Sequence, residues 1–249
     1  MLLVDVHAHI DFPEYDTDRD AMIERCKENG VKAIICNATT IPTMQHILEI
    51  SKKYDIVKPA FGIYPSHMVE YSPNEFEAAL DWIRINKPIA IGEIGLDYQE
   101  VAEQDRPLAE ERFREQIRLA KELDVPVIVH SRKAEERTIE VLEEEGAKKV
   151  VMHCFSGKRR LIKRIGENKW CMSIPANVGR SEHFRMAIQE LPLKSLLTET
   201  DSPLLSPVLN ERNEPLNVIE GVKAIAELKG LTEEEAAGIV FQNYQSLFK

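Results

Sequence analysis

The sequence has no pair of cysteines at Cys-x-x-Cys spacing; its four cysteines stand apart at positions 26, 36, 154 and 171. That pattern is not a disulfide framework of the secreted kind, and it leads us to expect a reducing, cytoplasmic location. No apolar run approaches membrane-spanning length, and the first ten residues carry an acid and two histidines where a signal peptide would have a basic start, so no membrane partner is expected. Positive charge is also short. The 32 Lys and Arg against 42 Asp and Glu leave a formal net charge of -10, which argues against gross electrostatic attraction to nucleic acid or anionic lipid. A polyanionic substrate is not thereby excluded, because a metal centre flanked by arginines reverses the sign within one cleft. No Gly-x-Gly-x-x-Gly follows the first apolar run, which removes support for dinucleotide binding. There is no internal repeat, low-complexity tract or linker, and no obligate protein partner is evident, so residues 1–249 are expected to form one domain.

What is present is an alternation. Apolar, β-branched runs predict strands near 2–6, 32–36, 57–62, 89–93, 126–130, 149–153, 170–173 and 195–199. Val127-Ile128-Val129 and Val150-Val151-Met152 are continuously apolar, the mark of strands buried on both faces of a parallel sheet. Helical patterns fall between them at roughly 17–29, 41–54, 74–86, 105–123, 134–145, 158–167, 181–190 and 216–229. Asp16 or Thr17 is the expected cap of the first helix and Asn29-Gly30 its end, while Thr232 and Glu235 form a capping box for a last helix running to about 247. Eight strands alternating with eight helices predict a (β/α)8 TIM barrel with an additional C-terminal helix, an open doubly wound sheet being the alternative. The unpatterned stretch near 202–215 reads as a loop over the site.

In such a barrel, side chains that do chemistry collect at the C-terminal ends of the strands. His7 and His9 end the first run and share one face of a strand; Glu93, His130 and His153 end the fourth, fifth and sixth, and Asp201 follows the eighth. Any one of these alone reads as a satisfied core residue. Together they would put several costly buried polar groups at one barrel mouth with no function, so the metal reading is preferred. Four imidazoles and two carboxylates are too many donors for one tetrahedral zinc with an open position, and they suit two divalent ions with one carboxylate bridging.

Several blocks carry a family resemblance: His7-Ala8-His9, Gly92-Glu93-Ile94-Gly95-Leu96-Asp97-Tyr98, Val129-His130-Ser131-Arg132, His153-Cys154-Phe155-Ser156-Gly157 and Glu199-Thr200-Asp201-Ser202-Pro203. In this order, with Arg212-Asn213-Glu214-Pro215 and the stretch from Asn243 to Phe248, the chain resembles the TatD family of metal-dependent deoxyribonucleases along its whole length. The resemblance implies His7 and His9 on one ion, His130 and His153 on the other, Glu93 between them, and Asp201 completing the first site and orienting the attacking water. Two positions depart from the family pattern. Tyr64, in Gly62-Ile63-Tyr64-Pro65-Ser66-His67, stands where a substrate-facing histidine is usual, with His67 three residues on; and Lys133-Ala134 replaces Asp-Ala after the fifth strand.

The expected chemistry is hydrolysis of DNA phosphodiesters, as a 3′–5′ exonuclease on single strands, by a metal-bound hydroxide with Mg, Mn or Zn as the ions. Asp201 and Glu93 are the expected catalytic carboxylates, with Asp201 as the base. Glu199 is expected to lie beneath Asp201, and Asp5, of the same parity as the histidines, to support them. Arg132 is placed to clamp a phosphate, while Tyr64, His67 and Lys158, the last opening the basic run through Arg164, are the other expected substrate contacts. Two rival readings remain: an amidohydrolase-type enzyme acting on an ester, amide or aminoacyl-tRNA bond, and a metal-binding protein without activity. Glu93, standing where many amidohydrolases bridge their metals with a carboxylated lysine, leans towards phosphodiester chemistry.

Overall fold

Continuously apolar runs form strands only where both faces are covered, and closing a parallel sheet inside a ring of helices provides that cover. In the computed structural model, which describes residues 1–249, there are eight such strands: β1 (Leu3–Ala8), β2 (Val31–Asn37), β3 (Val57–Phe61), β4 (Ala90–Asp97), β5 (Val127–Arg132), β6 (Val150–Met152), β7 (Cys171–Pro175) and β8 (Leu196–Glu199). They are ordered as in the sequence, and each pairs in parallel with the next. The crossovers run through α1 (Arg19–Glu28), α2 (Ile41–Lys53), a single turn α3 (Pro65–Met68) followed by α4 (Pro73–Asn86), α5 (Arg106–Leu123), α6 (Glu135–Glu144), α7 (Arg159–Glu167) and α8 (Glu182–Glu190). After β8 come α9 (Ile219–Lys229) and the additional α10 (Glu233–Phe248). The fold is a (β/α)8 TIM barrel.

Closure between β8 and β1 is carried by a few bonds. Thr198 Oγ1 donates to the Val4 carbonyl at 2.8 Å. Beyond the end of β8, the Asp201 amide donates to the His7 carbonyl at 2.9 Å and the His9 amide to that of Ser202 at 2.8 Å. The seam therefore zips together the segment that carries His7 and His9 and the segment that carries Asp201.

The differences from the expected boundaries have local causes. Helix α1 starts at Arg19, and neither Asp16 nor Thr17 caps it. Arg19 Nη2 engages Asp16 at 2.7 Å, and Arg212 holds the Asp18 carboxylate through both of its terminal nitrogens at 2.8 and 2.6 Å. The Thr232–Glu235 capping box forms as read, each side chain meeting the other residue's amide.

Strand β4 runs four residues past the predicted end at Glu93, through Gly95, whose φ is +146°. A β-carbon there would lie 1.9 Å from the His130 carbonyl oxygen on β5, so only glycine lets the two strands stay paired as far as Asp97. Gly95→Ala is accordingly expected to cost about 3 kcal/mol or more, combining a backbone clash with an unfavourable φ. Urea unfolding measures this, and an unchanged midpoint would remove the close approach from the account.

Candidate metal centre

The six predicted donors come from strand ends on one rim of the barrel, and all are buried or nearly so. His7 Nε2 and His9 Nε2 lie 3.1 Å apart. Each also faces Glu93 Oε2, at 3.5 Å, and Asp201 Oδ1, at 3.6 and 3.4 Å. These separations are close to the edges of a tetrahedron, which are about 3.4 Å when a central ion sits ~2.1 Å from each donor. The other oxygen of the same carboxylate, Glu93 Oε1, faces His130 Nδ1 at 3.1 Å and His153 Nε2 at 3.8 Å. One carboxylate thus presents its two oxygens to two separate groups of donors. The donor chemistry, imidazole nitrogen with carboxylate oxygen, suits zinc, manganese or another borderline divalent ion.

The opposite ring nitrogens are mostly spoken for. His9 Nδ1 meets the Asn37 carbonyl at 2.9 Å, His153 Nδ1 meets Glu199 Oε2 at 2.8 Å, and His130 Nε2 meets Asp97 Oδ2 at 3.0 Å. A proton held there leaves the inward nitrogen a lone pair, the arrangement typical of metal-ligating histidines. His7 differs: its Nδ1 has no partner, and its ring stacks on that of His153 at 3.5 Å between centroids.

The outer residues reach partners the sequence did not name. Glu199 reaches His153 and Ser173 Oγ (2.5 Å) rather than lying beneath Asp201, which leaves the strand path at φ +55°. Asp5 touches no imidazole; its carboxylate accepts from the amides of His7 (3.2 Å) and Thr200 (3.0 Å) and from Thr200 Oγ1 (2.5 Å), tying β1 to the Asp201 segment. Asp97 and the Asn37 carbonyl were not anticipated. Asp97 shares the strand parity of Glu93, a signal hidden by ending the strand at 93.

Burial opposes charge on all these groups; it prevails at His7, whose pKa is lowered, and at Asp5, whose pKa is raised, while at His9, His153 and Glu93 the mutual fields win. For His9, burial is outweighed by the hydrogen bond with Asp201 and the charge of Glu93, leaving its pKa at about 9. For His153, burial is outweighed by Glu199, leaving it at about 10. Burial likewise works against an ionised Glu93, but His7 and His130 hold its carboxyl well below the usual range. At pH 7 the ion-free centre therefore carries protons on His9 and His153 that a metal must displace. Loading at pH 7 is expected to release at least about one proton per chain, read by calorimetry in buffers of different ionisation enthalpy, and apparent affinity should weaken as pH falls. A release of zero would contradict the proton-loaded centre.

Above the donors opens a cleft of about 670 Å³. Tyr64 and His67 both line it. The Tyr64 hydroxyl lies 3.2 Å from both Asp97 Oδ2 and His130 Nε2, and His67 Nδ1 meets the Thr39 carbonyl at 3.1 Å. Arg132 is on the wall and exposed, its Nε 3.7 Å from Asp97. Lys158 does not join them. It lies in a neighbouring cleft with Lys133 and Gly157, and the basic run that follows it is largely neutralised: Arg159 pairs with Glu190, Arg160 with Glu136 and Arg164 with Glu143.

Barrel and donor set define a metal-dependent hydrolase of the (β/α)8 type. A family model described as TatD related DNase matches residues 4–249. The chain belongs to the TatD family. It is 36% identical to a Bacillus subtilis protein described as "Uncharacterized metal-dependent hydrolase YabD", over 100% of this chain and 99% of that one. It is 35% identical to the human protein described as "Deoxyribonuclease TATDN3", over 99% of this chain and 94% of that one. Among solved structures, the TatD homologue YjjV of Escherichia coli K12 superposes with a TM-score of 0.88 at 28% identity, covering 99% of this chain and 97% of that one. No helix is long and apolar enough to cross a membrane.

Proposed function

We propose that this chain hydrolyses phosphodiester bonds of DNA, removing nucleotides from the 3′ end of single strands. The observation that carries the reading is Glu93, whose two carboxylate oxygens serve different donor groups. That arrangement would let one side chain serve two ions, as in two-metal sites that carry out phosphoryl transfer. His7, His9 and Asp201 would hold one ion, and His130 and His153 the other. Ions so held, Mg, Mn or Zn, supply charge neutralisation on the phosphoryl oxygens and bring the pKa of water towards neutrality.

The rest is the work of side chains. Burial disfavours an ionised Asp201, but the His9 hydrogen bond and the charges of His153 and His7 keep its pKa low, so it is a carboxylate at neutral pH, able to orient water and take its proton. Arg132, exposed on the wall, donates to a non-bridging phosphate oxygen. Glu199, Asp97 and the Asn37 carbonyl hold three imidazoles in register. Support for DNA comes from the description of the human relative as a deoxyribonuclease.

The test uses metal-reconstituted protein on single-stranded DNA and RNA labelled at the 5′ or the 3′ end. Stepwise shortening of the 5′-labelled DNA, dependent on the added ion, is the expected result. Strands left intact with every ion would end the phosphodiesterase reading and turn attention to ester, amide and aminoacyl-tRNA substrates.

A further inference from the structure

We infer that the loop over the centre forms a nucleobase pocket, so that the base of the strand's terminal nucleotide is unstacked and held against Leu204 and Leu205 while its phosphate lies over Glu93. The inference rests on the phosphodiesterase reading and adds what that reading lacks, a reason for selecting strand ends.

The cleft has two kinds of wall. Its floor is ionic, but its rim includes Phe12, Phe184, Leu204 and Leu205. Phe12 is fixed by stacking on the His9 ring at 5.0 Å between centroids, so an apolar surface begins directly beside a donor. Leu204 is 55% exposed, and with Val208 and Leu209 it makes up three of the seven large apolar side chains the protein leaves in water. Such clustering on one short loop is unusual for a surface without a ligand. The loop is also anchored to the centre. The Leu204 amide donates to the Asp201 carbonyl at 2.8 Å, and the buried Asn213 amide group donates to the carbonyls of both Thr200 and Leu204.

Leu205 then takes φ +50°, a left-handed conformation unfavourable for a leucine. Asp201 and Cys154, also in left-handed conformations at φ +55° and +41°, line the same cleft. Backbone held in this region usually serves a site, and here it presents a bulky apolar group towards the place where substrate sits.

Charge points the same way. Of the residues around the cleft, Arg132 alone carries a permanent positive charge, and Glu100 stands 3.4 Å from it. Beyond ions held on the floor, a site that gripped a strand along its backbone would need several cationic side chains. A flat, apolar group attached to an anionic one is what this rim and floor complement, and a nucleotide with its base out of the stack has that form.

The experiment compares two single-stranded DNA oligonucleotides, identical except that one ends in an abasic 3′ nucleotide, with metal-loaded wild type and with Leu204→Ser/Leu205→Gly. The glycine suits the left-handed position and the serine faces solvent, so neither change threatens the barrel. Wild type is expected to prefer the base-bearing end by roughly tenfold or more in kcat/KM, the worth of one stacked base. In the variant the ratio should approach unity. The rate should fall only about threefold for a fourfold rise in salt, as for a single phosphate contact on a single strand. Equal rates on the two ends in wild type would overturn the pocket while leaving the nuclease standing. A steep salt dependence would move binding to cations outside the cleft, such as Lys133 and Lys158, and would also overturn it. Failure to cleave either oligonucleotide would instead remove the phosphodiesterase reading, and the pocket with it.

Discussion

On the proposed two-ion phosphodiesterase reading, Glu93→Gln is expected to lower the metal content from two ions per chain to one and to cut phosphodiester turnover by about a thousandfold or more. Two divalent ions at the spacing of about 3.5–4 Å usual in two-metal sites would repel by roughly 18 kcal/mol even at an effective dielectric constant of 20. An anionic bridge offsets that repulsion because it lies closer to each ion than they lie to one another. The neutral amide has the same shape but presents one oxygen and no charge, so one side of the pair loses its anionic donor. The arrangement of Glu93 Oε2 toward His7 and His9, and of Oε1 toward His130, is what the substitution interrupts. Metal analysis after equilibrium dialysis, alongside single-turnover kinetics, reads both effects. Two retained ions with turnover inside about tenfold of wild type would mean that Glu93 is not the bridge.

The second large effect is expected at Asp201. Asp201→Asn keeps an oxygen 3.4–3.6 Å from His9 and His7 but cannot accept a proton from water. Turnover should fall by about 10²–10⁴, the usual contribution of a positioned base, with little change in KM. Because the Asp201 amide closes the seam onto the His7 carbonyl through backbone alone, the substitution leaves the seam intact. A loss in KM rather than kcat would reassign Asp201 to binding, and a melting temperature lowered by many degrees would reassign it to structure.

Much of this centre was legible because parallel barrels impose two simple codes. A continuous apolar run marks a strand, and a polar residue at its C-terminal end marks the rim; those codes located His7, His9, Glu93, His130, His153 and Asp201 before any coordinate. They failed where tertiary context decides. Asp97 was missed because the fourth strand was ended at Glu93, whereas Gly95 lets β4 pass close to the His130 carbonyl and carry on. Asn37 was invisible because its contribution is a backbone carbonyl, which any residue supplies. Glu199 was assigned by parity to Asp201, but the chain leaves the strand path at Asp201, and the partner of Glu199 is His153, which follows β6 two strands away. The basic run from Lys158 to Arg164 looked like a backbone track in one dimension. Its arginines face acids contributed by α6 and α8, which no local pattern announces.

The hydrogen bonds joining the His7 and His9 segment to residues 201 and 202 also bear on when the site can be assembled. During synthesis from the N-terminus, both histidines and Glu93 leave the ribosome long before the segment that fastens them in place. A nascent chain that stops short of Asp201 has five of the six donors and no seam to hold them in register. A complete donor set is therefore expected only once the last fifth of the chain has been made, and a copy terminated before Asp201 is expected to be inert.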